Sequence, residues 1–192
     1  MRSYFLCALL CLCSWSVSAN ERCLRRLWAV HPESDQERLF DVLNDRTQSG
    51  VSFSCTAYMT PTMITKFLAE LRTAVSDPRN SGLAEVFDYP FKYFPQPQNN
   101  GAAKDAIVIT NMQKFEAHKF EIISPLIRDL VLCANLGNIN TRNGEIRIGL
   151  GAISFSGLNQ NGTPAPRPRI SEISRRNESA EEKYLATLKC PS

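Results

Sequence analysis

Histidine is nearly missing from this chain: of 192 residues only His31 and His118 are histidines. No C-x-x-C pair occurs, so neither a zinc knuckle nor a thioredoxin-type redox pair can be built from neighbouring cysteines. Charge of one sign is also lacking. Lys and Arg number 22 against 19 Asp and Glu, a net charge of +3, which gives no electrostatic footprint for nucleic acid. No apolar run reaches the roughly 20 residues of a membrane-spanning helix. Phosphate loops, dinucleotide fingerprints, metal motifs and internal repeats are absent as well. What is present, 43% hydrophobic and 21% charged residues, suits one globular domain.

Seven cysteines remain to be explained. Arg2 precedes the apolar run Tyr4 to Cys13, followed by Val17-Ser18-Ala19, the pattern of a signal peptide cleaved after Ala19. Cleavage removes Cys7, Cys11 and Cys13 and leaves Cys23, Cys55, Cys133 and Cys190, with 21 basic against 19 acidic residues. The expectation is a periplasmic or secreted protein without a stable membrane anchor, with two disulfides and no metal site or cofactor. Three connectivities are open. Cys23 with Cys55 and Cys133 with Cys190 is favoured, because each bridge would tie a flanking segment onto the central body.

The mature chain divides into a helical N-terminal extension (20–58), an α+β domain (59–176) and a C-terminal short helix and tail (177–192). In the extension Leu24, Leu27 and Trp28 group on one face, and Leu39, Phe40, Val42 and Leu43 on another. Thr60-Pro61 opens a helix whose stripe is Ile64, Phe67, Leu68, Leu71 and Val75. A short helix at Leu83–Phe87 leads to an aromatic strand through Phe94, with Pro90 at a strand start or an edge. A Pro/Gln/Asn/Gly loop over 95–104 precedes the β segment Ala106–Ile109. Asn111 and Ser124-Pro125 each open a helix. Asn159–Pro168 reads as a loop, Arg169–Ser174 as a last strand, and Ser179-Ala180-Glu181-Glu182 as a capping box.

Asn143-Gly144 is the preferred pair for a tight hairpin turn. Beyond it Ile146, Ile148 and Leu150 share one parity while Ile153 and Phe155 share the other, so a bulge or sharp bend is expected at Gly149–Gly151. The order of elements, with Phe67-Leu68, Tyr89-Pro90-Phe91, Ser124-Pro125-Leu126-Ile127-Arg128 and Asn143 to Phe155, resembles exported bacterial members of the nuclear transport factor 2-like superfamily. The likeness covers Thr65–Phe155, about half of the chain. It departs from the pattern at Ile153-Ser154-Phe155, where such relatives often carry a tryptophan. The resemblance implies a cone fold, a curved antiparallel sheet with helices packed on its concave face, and it says little about activity.

Enzymes on that fold use Asp or His with Tyr partners inside the cone. Here Asp88, Tyr89 and Tyr93 would be the polar lining of a pocket for a small apolar ligand, in an isomerase or dehydratase type of enzyme. His118 stands on a polar helix face, where a lone histidine is ordinarily solvated, and Asp88 more simply ends the short helix. Gly-Ala-Ile-Ser-Phe-Ser-Gly is not a nucleophile elbow, so Ser154 and Ser156 carry no triad. Arg167, Arg169, Arg175 and Arg176 make a basic segment that would greet an acidic partner or form a solvated face. No catalytic residue is assigned. The expectation is a non-catalytic binding protein with a protein partner, an immunity or inhibitor protein against a cell-wall-targeting toxin, and a dimer is compatible with it.

Overall fold

The computed structural model describes residues 19–77, 81–95, 105–159, 161–188 and 190. Residues 1–18, where the leader is expected, and those of the expected loop over 96–104 lie outside the described residues. Three helices open the chain, α1 (Ala19–Val30), α2 (Asp35–Asn44) and the single turn α3 (Phe53–Thr56). Thr60 then caps α4 (Pro61–Ser76), its Oγ1 accepting from the Met63 amide at 3.1 Å, with Pro61 in the first turn. Ile64, Phe67, Leu68, Leu71 and Val75 are all buried. Each contributes about 1.5–3 kcal/mol by leaving water.

The short helix expected near Leu83–Phe87 is a 3-10 helix, Ser81–Val86, and it leads into β1 (Phe87–Phe94). There follow β2 (Ile107–Ile109), α5 (Met112–Ile122), α6 (Pro125–Cys133), β3 (Asn140–Arg142), β4 (Glu145–Ile148), β5 (Ile153–Leu158), β6 (Pro164–Ser174) and α7 (Glu178–Leu185). The molecule is α+β, with six strands in the order β2-β1-β6-β5-β4-β3. The sheet is mixed rather than antiparallel throughout, because β1 runs parallel to β6. The reason is topological: β3 to β6 form an up-and-down meander that brings the last strand back beside the first in the same direction.

Pro90 accordingly sits on an inner strand and not at an edge. It is accommodated because the β1–β6 register shifts between Phe87 and Lys92 and β2 pairs only with Phe91–Tyr93. β6 is longer than expected and takes in Pro164, Pro166 and Pro168. β1 does not join it until Ile170, so its first half is paired on one side only and tolerates proline as an edge does.

The Asn143-Gly144 turn has the expected geometry, with φ of 54° and 84°. The parity change beyond it has a different cause from a bend. Gly149 to Ala152 reverse the chain, and β4 and β5 are separate antiparallel strands. Ile148 pairs with Ile153 and Ile146 with Phe155, so residues of opposite parity face each other and bury the same side. The bulge lies elsewhere: register shifts between Ser154 and Phe155, leaving Ser171 as the extra residue in β6, which lets Ile170 and Ile173 both reach the core.

Gly149 has φ of 68°, and a Cβ there would run into the Glu181 carboxylate. Glu181, on α7, accepts from the Leu150 amide at 2.8 Å and also faces the Ala152 amide. It is therefore a buried turn clamp, and the capping box expected over Ser179–Glu182 does not form, because Asn177 is the N-cap of α7 and the helix start carries no side-chain cap bond. α7 starts two residues after Arg176, its first residue Glu178 held by Arg175 at 2.8 Å.

One core joins helices and sheet. Phe67 meets Phe155 at 4.9 Å, and Phe87 meets Phe91 at 4.4 Å and Phe115 at 4.7 Å. Phe53, Ala57 and Met59 belong to the same cluster, so α3 and the segment after it are built into the body. The other sheet face is polar, with Lys92, Glu172, Ser154 and Arg147 in one register row across four strands. Cys23 is bonded to Cys55 and Cys133 to Cys190, with Cα separations of 5.2 and 4.7 Å. The first joins α1 to α3, and the second joins the chain end to α6.

Candidate protein-interaction face

The residues that an enzyme reading needs are dispersed. Tyr93 is fully buried with its hydroxyl donating to Glu121 O at 3.3 Å, and the Tyr89 hydroxyl donates to Ala84 O at 3.0 Å. Burial lifts both phenols, Tyr89 to about 12. Asp88 has the opposite parity on β1 from these tyrosines; the Tyr89 ring packs on Phe87 and Phe91, and Tyr93 belongs to the buried core. His118 lies on α5 beside Glu121, with Nδ1 to Oε2 at 3.4 Å. His31 follows α1. Ser154 is buried, and the Ser156 hydroxyl accepts from the Leu158 amide.

The basic segment is spent internally. Arg167 reaches Glu70 at 2.9 Å and Glu85 O at 3.1 Å, and Arg169 reaches Phe87 O at 3.2 Å. Arg175 holds Glu178 and Glu121 O, and the Arg176 guanidinium stacks 3.7 Å from the Phe94 ring centre.

A different feature comes from α2. Its N-cap Ser34 and Glu37 form a capping box, the Glu37 carboxylate accepting from the Ser34 amide at 2.8 Å. Asp41 and Asp45, four apart and hence on one face, both point inward. Asp41 accepts from Thr62 N at 2.8 Å and Trp28 Nε1 at 2.9 Å. Asp45 accepts from Ser54 N at 2.7 Å, Ser54 Oγ at 2.6 Å and Ser52 Oγ at 2.8 Å. Thr62 and Ser54 are each the second residue of a helix, α4 and α3, so each aspartate satisfies an amide left free by helix geometry, at the positive end of the dipole.

Glu33 adds a third carboxyl, taking the Thr60 hydroxyl at 2.7 Å. Burial first, and then the adjacent Asp41, push Glu33 up to about 7. Burial also raises Asp45, while its serine partners oppose the shift. On the outer rim, Lys66 at 2.6 Å pulls Glu37 down to about 2.

With its carboxylates inward, α2 turns its apolar residues out. Leu39 is 61% and Leu43 73% exposed, and Phe40 and Val42 are exposed on either flank. Leu39 and Leu43 form a crest. On the Phe40 side two clefts of about 310 and 290 Å³ share Phe40 and Thr65 and run along α4 from Thr62 to Arg72. On the Val42 side a cleft of about 270 Å³ is lined by Leu24, Val42, Leu43, Asp45 and Arg46.

Sequence reasoning grouped these apolar side chains correctly but had no means of placing them outside. The available signal was the i, i+4 aspartate pair ahead of two helix caps, Ser52 and Thr60. Among the described residues no helix is long and apolar enough to cross a membrane, and no group of three or more His, Cys, Asp or Glu could hold a metal ion. A scan of protein-family models and searches of curated proteins and solved structures found no match to this chain.

Proposed function

We propose that the chain is an exported binding protein on a cone-like scaffold of the nuclear transport factor 2-like superfamily. In this reading it acts in the periplasm as an inhibitor or immunity protein that blocks a cell-wall-degrading enzyme. The observation that carries a binding role is α2, an apolar helix face held outward by two buried aspartates. Contiguous exposed apolar surface of this kind marks association with another macromolecule.

Export draws support from the leader pattern and from two cysteine pairs suited to an oxidising compartment. The cone draws support from the register shifts in β1–β6 and β5–β6, since bulged strands twist and bend a sheet. The inhibitor role rests on fold analogy joined to location. Its test is a titration of purified protein into peptidoglycan-hydrolysing toxins, with turbidity loss of cell-wall suspensions as readout. A stoichiometric complex that stops hydrolysis, and that is weakened by Leu43→Glu, is expected. Undiminished hydrolysis across glycosidase, amidase and peptidase classes overturns the inhibitor role.

A further inference from the structure

We propose that the α2 face pairs with a second copy of this chain, crest into groove about a two-fold axis. This names one partner of the face already described and rests on its reading as a protein-binding surface.

The face has the shape that self-association requires. A two-fold contact uses the same patch on both copies, so the patch must be its own complement. Here a ridge, Leu39 and Leu43, stands between grooves walled by Phe40 on one side and Val42 on the other. Packing two such helices side by side places each ridge in the other's groove.

Charge agrees with the same arrangement. An antiparallel pair centred level with residue 41 sets Leu39 of one copy against Leu43 of the other. It also brings Asp35, at the start of α2, within one residue of the level of Arg46, just past its end, a step of about 1.5 Å that the long arginine side chain spans. Both are exposed: among the described residues the Asp35 carboxylate has a distant Arg38 at 3.9 Å, and Arg46 holds Gly50 O at 2.9 Å at the edge of the Val42 cleft. The pairing therefore makes two symmetric Asp35–Arg46 contacts and brings no like charges together at the crest.

Area sets the strength. The four apolar side chains cover on the order of 400 Å² per copy, about half of the ~800 Å² per partner of a stable complex. The clefts supply the remainder, and the dimer is weak, with Kd in the range of about 1–100 µM.

Sedimentation velocity of the purified protein between about 1 and about 200 µM tests this. A concentration-dependent monomer–dimer equilibrium is expected, shifted at least tenfold toward monomer by Leu43→Glu. Asp35→Arg and Arg46→Asp should each weaken it and their combination should restore it. All these side chains are exposed, so unchanged circular dichroism separates a lost contact from a lost fold. Monomer at every concentration, or a dimer indifferent to Leu43→Glu, overturns the proposal. A chain that stays monomeric yet binds a wall hydrolase through α2 overturns self-pairing and leaves the binding role standing. A dimer that binds no hydrolase does the reverse.

Discussion

Asp41 is buried with no exposure, accepting one bond from an indole and one from a helix amide. Asp41→Ala leaves Trp28 Nε1 and Thr62 N unpartnered in a buried site, and a loss of about 2–4 kcal/mol is expected in urea unfolding. Glu33 gives a pH dependence of defined sign. Its folded value of about 7 lies above the ordinary 4.5, so the native state binds the extra proton. The stabilisation is complete below 4.5 and is lost as pH rises through 7. Asp45 and Glu181, raised by burial, add to the same trend. Glu37 acts oppositely, its contribution present above 4.5 and lost as pH falls toward 2. Tm should therefore decline between about pH 5 and about pH 8, with a shallower slope in Glu33→Gln, read by calorimetry. An equal slope in both proteins contradicts the assignment. At this scale much was legible: Thr60-Pro61, Ser124-Pro125, Asn111 and Asn143-Gly144 act through atoms a few residues away. Glu33, Asp41 and Glu181 were not, because their partners come from other elements.

Among the elements, α4 and α2 show what periodicity can and cannot fix. In α4 the apolar stripe goes inward because nothing polar on the helix offers a better contact. In α2 the carboxylates win the inner face by finding helix amides, and the apolar stripe goes out. Pattern alone does not rank these outcomes, since the energy of Asp41 depends on where α4 begins. The β4–β5 turn holds a similar lesson. Opposite parities were visible in the sequence, but a bend and a reversal both produce them, and pairing Ile148 with Ile153 decides between the two. The turn depends on α7. Glu181→Ala should release the Leu150 and Ala152 amides, lower stability by about 1–3 kcal/mol and raise hydrogen exchange at Leu150 above that at Ile146. Gly149→Ala should destabilise through both its φ of 68° and collision with Glu181, and Glu181→Ala should relieve only the second part, so the double variant is less unstable than the sum.

In the whole molecule the two cysteine bonds close loops of different length, 32 and 57 residues apart in sequence. Chain entropy alone assigns about 3.7 kcal/mol to the first and about 4.2 to the second. Replacing Cys23 and Cys55 together should detach α1 from α3, exposing Leu24 and Leu27. Replacing Cys133 and Cys190 should free the chain end beyond α7 while the sheet survives, and guanidinium unfolding followed by tryptophan emission separates the two, since Trp28 sits on α1. Strand order was beyond sequence reasoning for a plain reason: β1 and β6 are more than 70 residues apart, and no local pattern encodes which distant strands will be neighbours.

That last strand has a further effect on when the molecule can exist at all. β6 lies between β1 and β5, so among the described strands it alone carries the backbone pairing between the β1–β2 ribbon and the β3–β5 meander. A chain emerging from a ribosome holds two strand groups with no backbone pairing between them until residues 164–174 arrive, and the pairing that joins them is of long sequence separation and slow to form. The sheet therefore becomes continuous only when its last strand takes its place between the other two groups.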